Sequence, residues 1–257
     1  MSIQYILSGF AVGLLVGMTG VGGGSLMTPL LTLLFGVTPS VAVGTDLAFA
    51  SITKTAGTVT HRVRGTVHWD IVGRLCLGAL PAAIVATLAL QYFGPLNASL
   101  GKVIRYSIAV SVLLTVVAIL FRGKMLAWVN AKPSRQLQGR SLVVATVVSG
   151  AVLGTLVTVS SIGAGAIGAT LLVMLYPRLT PAEVAGTDIA YAVPLTAIAA
   201  FGHWWLGSIN WALLSALLVG SLPGITIGSW AARAVPEKVL RGLLAMTLAG
   251  VAVKLLH

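Results

Sequence analysis

Charge is what this sequence has least of. Only 8% of its 257 residues are charged, and Asp and Glu together number 5, whereas soluble domains carry about 25% charged residues. That scarcity excludes a soluble globular protein. Cysteine is also nearly absent: Cys76 is alone, so no intramolecular disulfide framework can form. No Gly-x-x-x-x-Gly-Lys-Ser/Thr stretch occurs, which argues against a nucleotide-hydrolysing phosphate loop. No Cys, His, Asp or Glu set has metal-ligand spacing, so neither a metal nor a cofactor is expected. A basic n-region is missing from Met1-Ser2-Ile3-Gln4, and no cleavable signal peptide is expected. The net charge of +11 does not point to nucleic acid. The basic residues fall between apolar segments, the usual bias of cytoplasmic loops.

What remains is apolar. The chain is 57% hydrophobic with a mean hydropathy of +1.01, the composition of an all-α polytopic membrane protein. Apolar stretches run over 3–19, 25–36, 40–60, 69–93, 101–121, 141–158, 166–176, 182–202, 210–231 and 238–256. Most reach the roughly 17–25 residues that a spanning helix needs. Residues 25–36 and 166–176 do not. They would rise only about 16–18 Å, roughly half a hydrocarbon core.

Each short segment follows a glycine-rich break. Gly20-Val21-Gly22-Gly23-Gly24-Ser25 precedes the first, and Ile162-Gly163-Ala164-Gly165-Ala166 precedes the second. A broken helix inside an apolar run leaves backbone groups unpaired where water is scarce, which is costly unless the break lines a cavity. Helix N-termini offer free N–H groups and the positive end of the dipole, a ready site for an anion. Gly22, Gly23, Gly24 and Ser25, with Gly163, Ala164, Gly165 and Ala166, are therefore candidate substrate-binding positions. The bland reading is that small residues only permit close helix packing. Two breaks, each opening a half-length helix, favour the anion site.

The two breaks belong to an internal repeat. An offset of 142 places Thr38-Pro39 and Gly44-Thr45-Asp46 over Thr180-Pro181 and Gly186-Thr187-Asp188. It also pairs His61 with His203, Gly65 with Gly207, Trp69 with Trp211, Gly78 with Gly220 and Pro81 with Pro223. A nearby offset aligns Lys102-Val103-Ile104-Arg105 with Lys238-Val239-Leu240-Arg241. The expected organisation is a first transmembrane repeat at 1–121, a basic cytoplasmic linker at 122–140 and a second repeat at 141–257. Halves of about five segments would be inverted relative to each other, whereas re-entrant short segments would leave fewer full passes and allow a parallel repeat. With the N-terminus outside, most Lys and Arg, including Arg62, Arg64, Arg74, Arg122, Lys124 and Arg140, fall on the cytoplasmic side, as the positive-inside rule requires. Acidic lipid headgroups are natural partners for that linker.

Ionisable residues within spans are functional candidates by default. Asp46 and Asp188 each follow Gly-Thr and are candidates for proton coupling, against a plain role in balancing a helix N-terminus. Lys54 has no basic counterpart, because Thr196 occupies the aligned position. An ammonium at that depth needs an anion, a carboxylate or a snorkelling path, which makes Lys54 a candidate substrate ligand. His61 and His203 lie at segment ends, where hydrogen bonding or solvation explains them more simply than a proton relay. The six tryptophans also cluster at segment ends and read as an interfacial belt.

A Gly-x-Gly-Gly-Gly break followed by proline (Gly20 to Pro29), then Gly-Thr-Asp, duplicated across a basic linker, resembles the TauE/SafE sulfite exporter family, also called the TSUP permeases. In the second half the glycine run is diluted to Gly163-Ala164-Gly165, and Thr170 stands where the proline is expected. The resemblance implies a secondary transporter in a prokaryotic cytoplasmic (inner) membrane, without an ATPase subunit. Its cargo would be a small sulfur-containing anion such as sulfite, sulfoacetate or another sulfonate. Alternating access of two halves would move the anion, with Thr45 and Thr187 as hydroxyl donors to it. A passive anion channel would share the site without occlusion. An intramembrane enzyme using the paired aspartates is a third reading, opposed by the symmetric surroundings of Asp46 and Asp188, which give no reason for an acid and a base to diverge. A homo-oligomer stays open.

Overall fold

A computed structural model describes residues 3–19, 24–93, 98–131 and 136–231, with Gly242, Met246 and Gly250 as further helical positions. Among them the chain is all helix. The order is α1 (Ile3–Thr19), α2 (Gly24–Leu34), α3 (Pro39–Val63), α4 (Trp69–Phe93), α5 (Ala98–Asn130), α6 (Gly139–Ser160), α7 (Ala166–Leu175), α8 (Pro181–Trp205) and α9 (Trp211–Ala231).

Local chemistry sets these boundaries. Helices α3 and α8 both open with proline at the first helical position, where a missing N–H costs nothing. In α8 a capping box adds to this: Glu183 N–H donates to Thr180 Oγ1 at 3.3 Å, and Thr180 N–H donates to Glu183 Oε2 at 2.8 Å. Both helices end in a tight turn at a glycine with φ +68°, Gly65 and Gly207, a conformation that glycine adopts without strain. Helices α2 and α7 have only 11 and 10 residues, so each reaches roughly half-way through a hydrocarbon core.

Among the described residues, five helical stretches are long and apolar enough to span a bilayer: Trp69–Tyr92, Gly101–Val129, Gly139–Ser160, Pro181–Trp205 and Trp211–Gly228. Helix α3 has the length, with 25 residues, but carries Asp46, Lys54 and Arg62 and is accordingly buried along much of its first half. The pattern is that of a chain solvated by lipid. Leu77, Val85, Val144 and Leu222 face outward while Thr45, Asp46, Ser111, Thr158 and Thr187 lie inside. Trp69, Trp204, Trp205 and Trp211 are exposed at helix ends, as interfacial aromatics should be.

One boundary differs from expectation. Helix α5 continues to Asn130, taking in the first half of the anticipated linker, because no proline interrupts the chain before Pro133.

The most extensive packing joins α1 to α9, α4 to α6 and α3 to α8. Small residues make the first two contacts close. Gly9 and Gly13 of α1 abut the backbone of Leu217 and Ser221 in α9, and Gly150 and Gly154 of α6 abut Leu75 and Ala79 in α4. Both pairs run parallel. By contrast α3 and α8 are antiparallel: Gly44, near the start of α3, meets His203 and Ser208 at the end of α8, while Gly186 meets His61 and Thr66. Positions separated by 141 or 142 meet in like contacts.

A Cβ at Gly78 would collide with the Val147 carbonyl and lie 2.7 Å from Ala151 N, whereas one at Gly73 on the same helix meets nothing within 4 Å. Gly78→Val is expected to cost about 1–3 kcal/mol by overpacking and to lower the melting temperature in detergent. Gly73→Ala should be neutral or slightly stabilising. Equal melting temperatures for the two variants would refute this account of the α4–α6 contact.

Candidate functional site

The centre of the molecule is built where the α6–α7 break meets α3 and α8. Helix α6 stops at Ser160 and is capped by Ser161 in the left-handed conformation, φ 59°. Gly163 and Gly165 follow with φ of +136° and +134°, values that residues with side chains avoid. The irregular stretch is supported from within. Ile162 N–H donates to Ser160 Oγ at 3.2 Å, and Ser160 Oγ donates to Ser111 Oγ on α5 at 3.0 Å. Helix α7 then starts at Ala166, so its first amides open onto the same region.

Lys54 reaches this stretch from α3. It is 8% exposed, and its Nζ donates to the Ala164 carbonyl at 3.1 Å. The ammonium also interacts electrostatically with Asp188 and, less strongly, with Asp46. Asp46 accepts a hydrogen bond from Thr28 Oγ1 on α2 at 2.6 Å through Oδ2, and Ser161 faces the same carboxylate. Asp188 faces the Gly165 amide. Its Oδ1 lies so close to Gly168 that a Cβ there would collide with it, and Tyr191 Oη would be 3.0 Å from that Cβ. One cation and two carboxylates are therefore gathered around a broken backbone.

Several polar atoms here have no hydrogen-bond partner among the described residues. They are Asp46 Oδ1, Ser161 Oγ, Asp188 Oδ1 and Tyr191 Oη, all buried. Native interiors satisfy nearly all such groups, and these lie beside the buried Lys54 ammonium. Lys54 retains two further N–H bonds after serving Ala164, and the α7 amides add the positive end of a helix dipole. No group of three or more His, Cys, Asp or Glu gathers to hold a metal among the described residues.

The candidates from the sequence fall into three groups. Lys54, Asp46, Asp188, Gly163, Ala164, Gly165 and Ala166 come together as described. Gly22 and Gly23 lie outside the described residues; Gly24 and Ser25 form the first turn of α2. Thr45 and Thr187 take a different position. Thr45 Oγ1 accepts the Asn210 N–H at 3.1 Å, and Thr187 Oγ1 accepts the His68 N–H at 3.1 Å. Each ties the start of one central helix to the turn that follows the other. His203 is fully buried, with Nε2 2.9 Å from the Thr158 carbonyl, rather than solvated at an interface. His61 pairs with Thr66 Oγ1 at 2.8 Å.

Three site residues escaped sequence reasoning: Thr28, Ser161 and Tyr191. Tyr191 had a usable signal, because it lies three positions after Asp188, on the same face of a helix. Thr28 stands inside the first glycine–proline motif, and Ser161 just before the second break.

Known proteins resemble this chain along nearly its whole length. The family described as "Sulfite exporter TauE/SafE" matches residues 5–255. The chain is similar to the probable membrane transporter protein YjnA of Bacillus subtilis, with 37% identity over 233 residues, 89% of each chain. It is 28% identical to YdhB of the same organism, another probable membrane transporter protein, over 94% of this chain and 95% of the relative. A probable membrane transporter protein of Xylella fastidiosa is 28% identical over 89% of this chain and 85% of its own. No solved structure gives a significant match.

Removing the cation from this cluster should be costly. Breaking a buried charge arrangement by deleting one partner costs about 3–5 kcal/mol, so Lys54→Met is expected to destabilise the folded protein by that order. Adding Asp188→Asn to Lys54→Met should recover at least half of the loss, since it removes one uncompensated carboxylate. Thermal unfolding of the single and double variants in detergent measures both. Strictly additive losses would show that Lys54 and Asp188 do not interact.

Proposed function

The chain belongs to the sulfite exporter TauE/SafE family of membrane transporters, and from that premise we propose that it moves a small sulfur-containing oxyanion such as sulfite, sulfoacetate or another sulfonate. The observation that carries the reading is Lys54, a buried ammonium held 3.1 Å from the carbonyl of Ala164 in a broken helix. Sulfite and sulfonate groups spread their charge over three oxygens. That shape matches donors arriving from several directions: the Lys54 ammonium, the amides at Gly165 and Ala166, and the Ser161 and Tyr191 hydroxyls. Anion recognition by the N-terminal end of a half-helix, at the junction of two related halves, is a recurring design of secondary transporters.

Transport proceeds by alternating access. The halves rock about the antiparallel α3–α8 pair, and the site opens to one side and then the other. Asp46 and Asp188 couple the cycle to protons, and export is driven by accumulated substrate. The N-terminus faces outward and the basic stretch around Arg122 to Arg140 faces the cytoplasm, where acidic lipid headgroups meet it.

The purified protein in liposomes should move radiolabelled sulfite with a flux that saturates as substrate rises. Asp46→Asn should keep saturable flux but weaken its dependence on pH. Flux that grows linearly without saturation would identify a passive channel instead. Sulfite recovered in a chemically altered form would overturn transport altogether.

A further inference from the structure

Asp188 stands where the substrate of the proposed function would stand. Its side chain is 3% exposed, and Oδ1 has no hydrogen-bond partner among the described residues. It faces the Gly165 amide and lies within the electrostatic reach of Lys54. Gly168, in the first turn of α7, lacks the Cβ that would exclude it. A carboxylate at a helix N-terminus beside an ammonium is favourably placed by the dipole and by the charge. A sulfonate would be favoured there for the same two reasons. Two anions cannot share one such place, because like charges at contact distance repel strongly where the dielectric is low.

We infer that the Asp188 carboxylate is a built-in occupant of the oxyanion site, and that a substrate anion enters only as Asp188 takes up a proton. The inference rests on the proposed anion transport and specifies how its site is regulated. The balance is simple: one proton adds to a carboxylate oxygen, one anion binds, and no other bond is made or broken. The neutral carboxylic acid no longer competes for Lys54 and the α7 amides, and its O–H becomes one more donor to the anion. Tyr191, fully buried with Oη unpartnered, is the neighbouring hydroxyl that accompanies it.

The groups around Asp188 are few. Helix α3 brings Lys54, with Asp46 also in contact with that ammonium electrostatically. Helix α5 brings Arg122, and α8 itself brings Tyr191. Helix α4 contributes Cys76, whose influence falls on Tyr191. Helix α7 has no ionisable side chain, and α6 has only Arg140 at its first turn. In this set Asp188 is the carboxylate that faces the α7 amides.

Methanesulfonate, a monoanion throughout the neutral range, is a suitable probe. Calorimetric titration of the full chain in detergent, repeated in buffers of different ionisation enthalpy, counts the protons taken up per anion bound. The wild type is expected to take up close to one proton, with affinity falling by up to about tenfold per pH unit as pH rises, the limit for one-proton linkage. Asp188→Asn should bind at least as tightly, without proton uptake and without pH dependence. Wild-type binding with no proton uptake would overturn the inference while leaving anion recognition intact. So would proton uptake that persists in Asp188→Asn, or loss of binding in that variant when its melting curve matches the wild type. If the variant does not fold, the wild-type proton count decides alone. Failure of the wild type to bind methanesulfonate or sulfite at any pH would remove the proposed function, and this inference with it.

Discussion

The bond from Lys54 to the Ala164 carbonyl is the interaction around which the rest is arranged. A lysine ammonium inside a membrane protein is costly unless something negative or dipolar meets it, and here a broken helix supplies the carbonyl while two aspartates supply the charge. The break has its own cost, since its backbone is withdrawn from water without a regular helical ladder. Each feature offsets the other. The lysine occupies a carbonyl that the break leaves open, and the break gives the lysine an acceptor that a continuous helix would not.

Holding that arrangement requires a frame that does not yield, and the small-residue contacts provide it. Lipid tails are as apolar as leucine, so helices in a membrane associate through close packing rather than hydrophobic exclusion. Gly9, Gly13, Gly150 and Gly154 let α1 and α6 press against the backbones of α9 and α4. Those parallel pairs flank the antiparallel α3 and α8, which carry Lys54, Asp46 and Asp188. The turns at Gly65 and Gly207 then bring His68 and Asn210 N–H groups back onto Thr187 and Thr45, clamping the ends of the central pair to each other.

Much of this was legible in the residues, for identifiable reasons. Glycine and proline punctuate helices strongly, so the half-length α2 and α7 could be read from the breaks before them. Lys54, Asp46 and Asp188 were visible because charge is so scarce that any in-span ionisable group stands out. Hydroxyls gave no comparable signal. Threonines and serines in these helices commonly bond the carbonyl four residues back, as Thr158 and Thr170 do with Gly154 and Ala166. Sequence alone does not separate those from Thr28, whose hydroxyl turns to Asp46. The reach of α5 to Asn130 was hidden because basic and polar residues end the apolar stretch at 121, although a helix need not end where it leaves the bilayer. The burial of His203 was hidden for the converse reason: a position near a segment end is near an interface only if no other chain segment covers it, and here the Ser208 turn and Thr158 do.

Lys54 faces Thr196 across the 142-residue offset, so the two halves are alike in backbone contacts but unlike in charge. In a machine whose inward- and outward-open forms arise by exchanging the roles of matching halves, perfect equivalence would make the two forms equal in energy. A single lysine on one half removes that degeneracy. Under the alternating access proposed above, the unloaded protein has a preferred resting orientation, and Lys54 sets on which side of the membrane the empty site awaits its substrate.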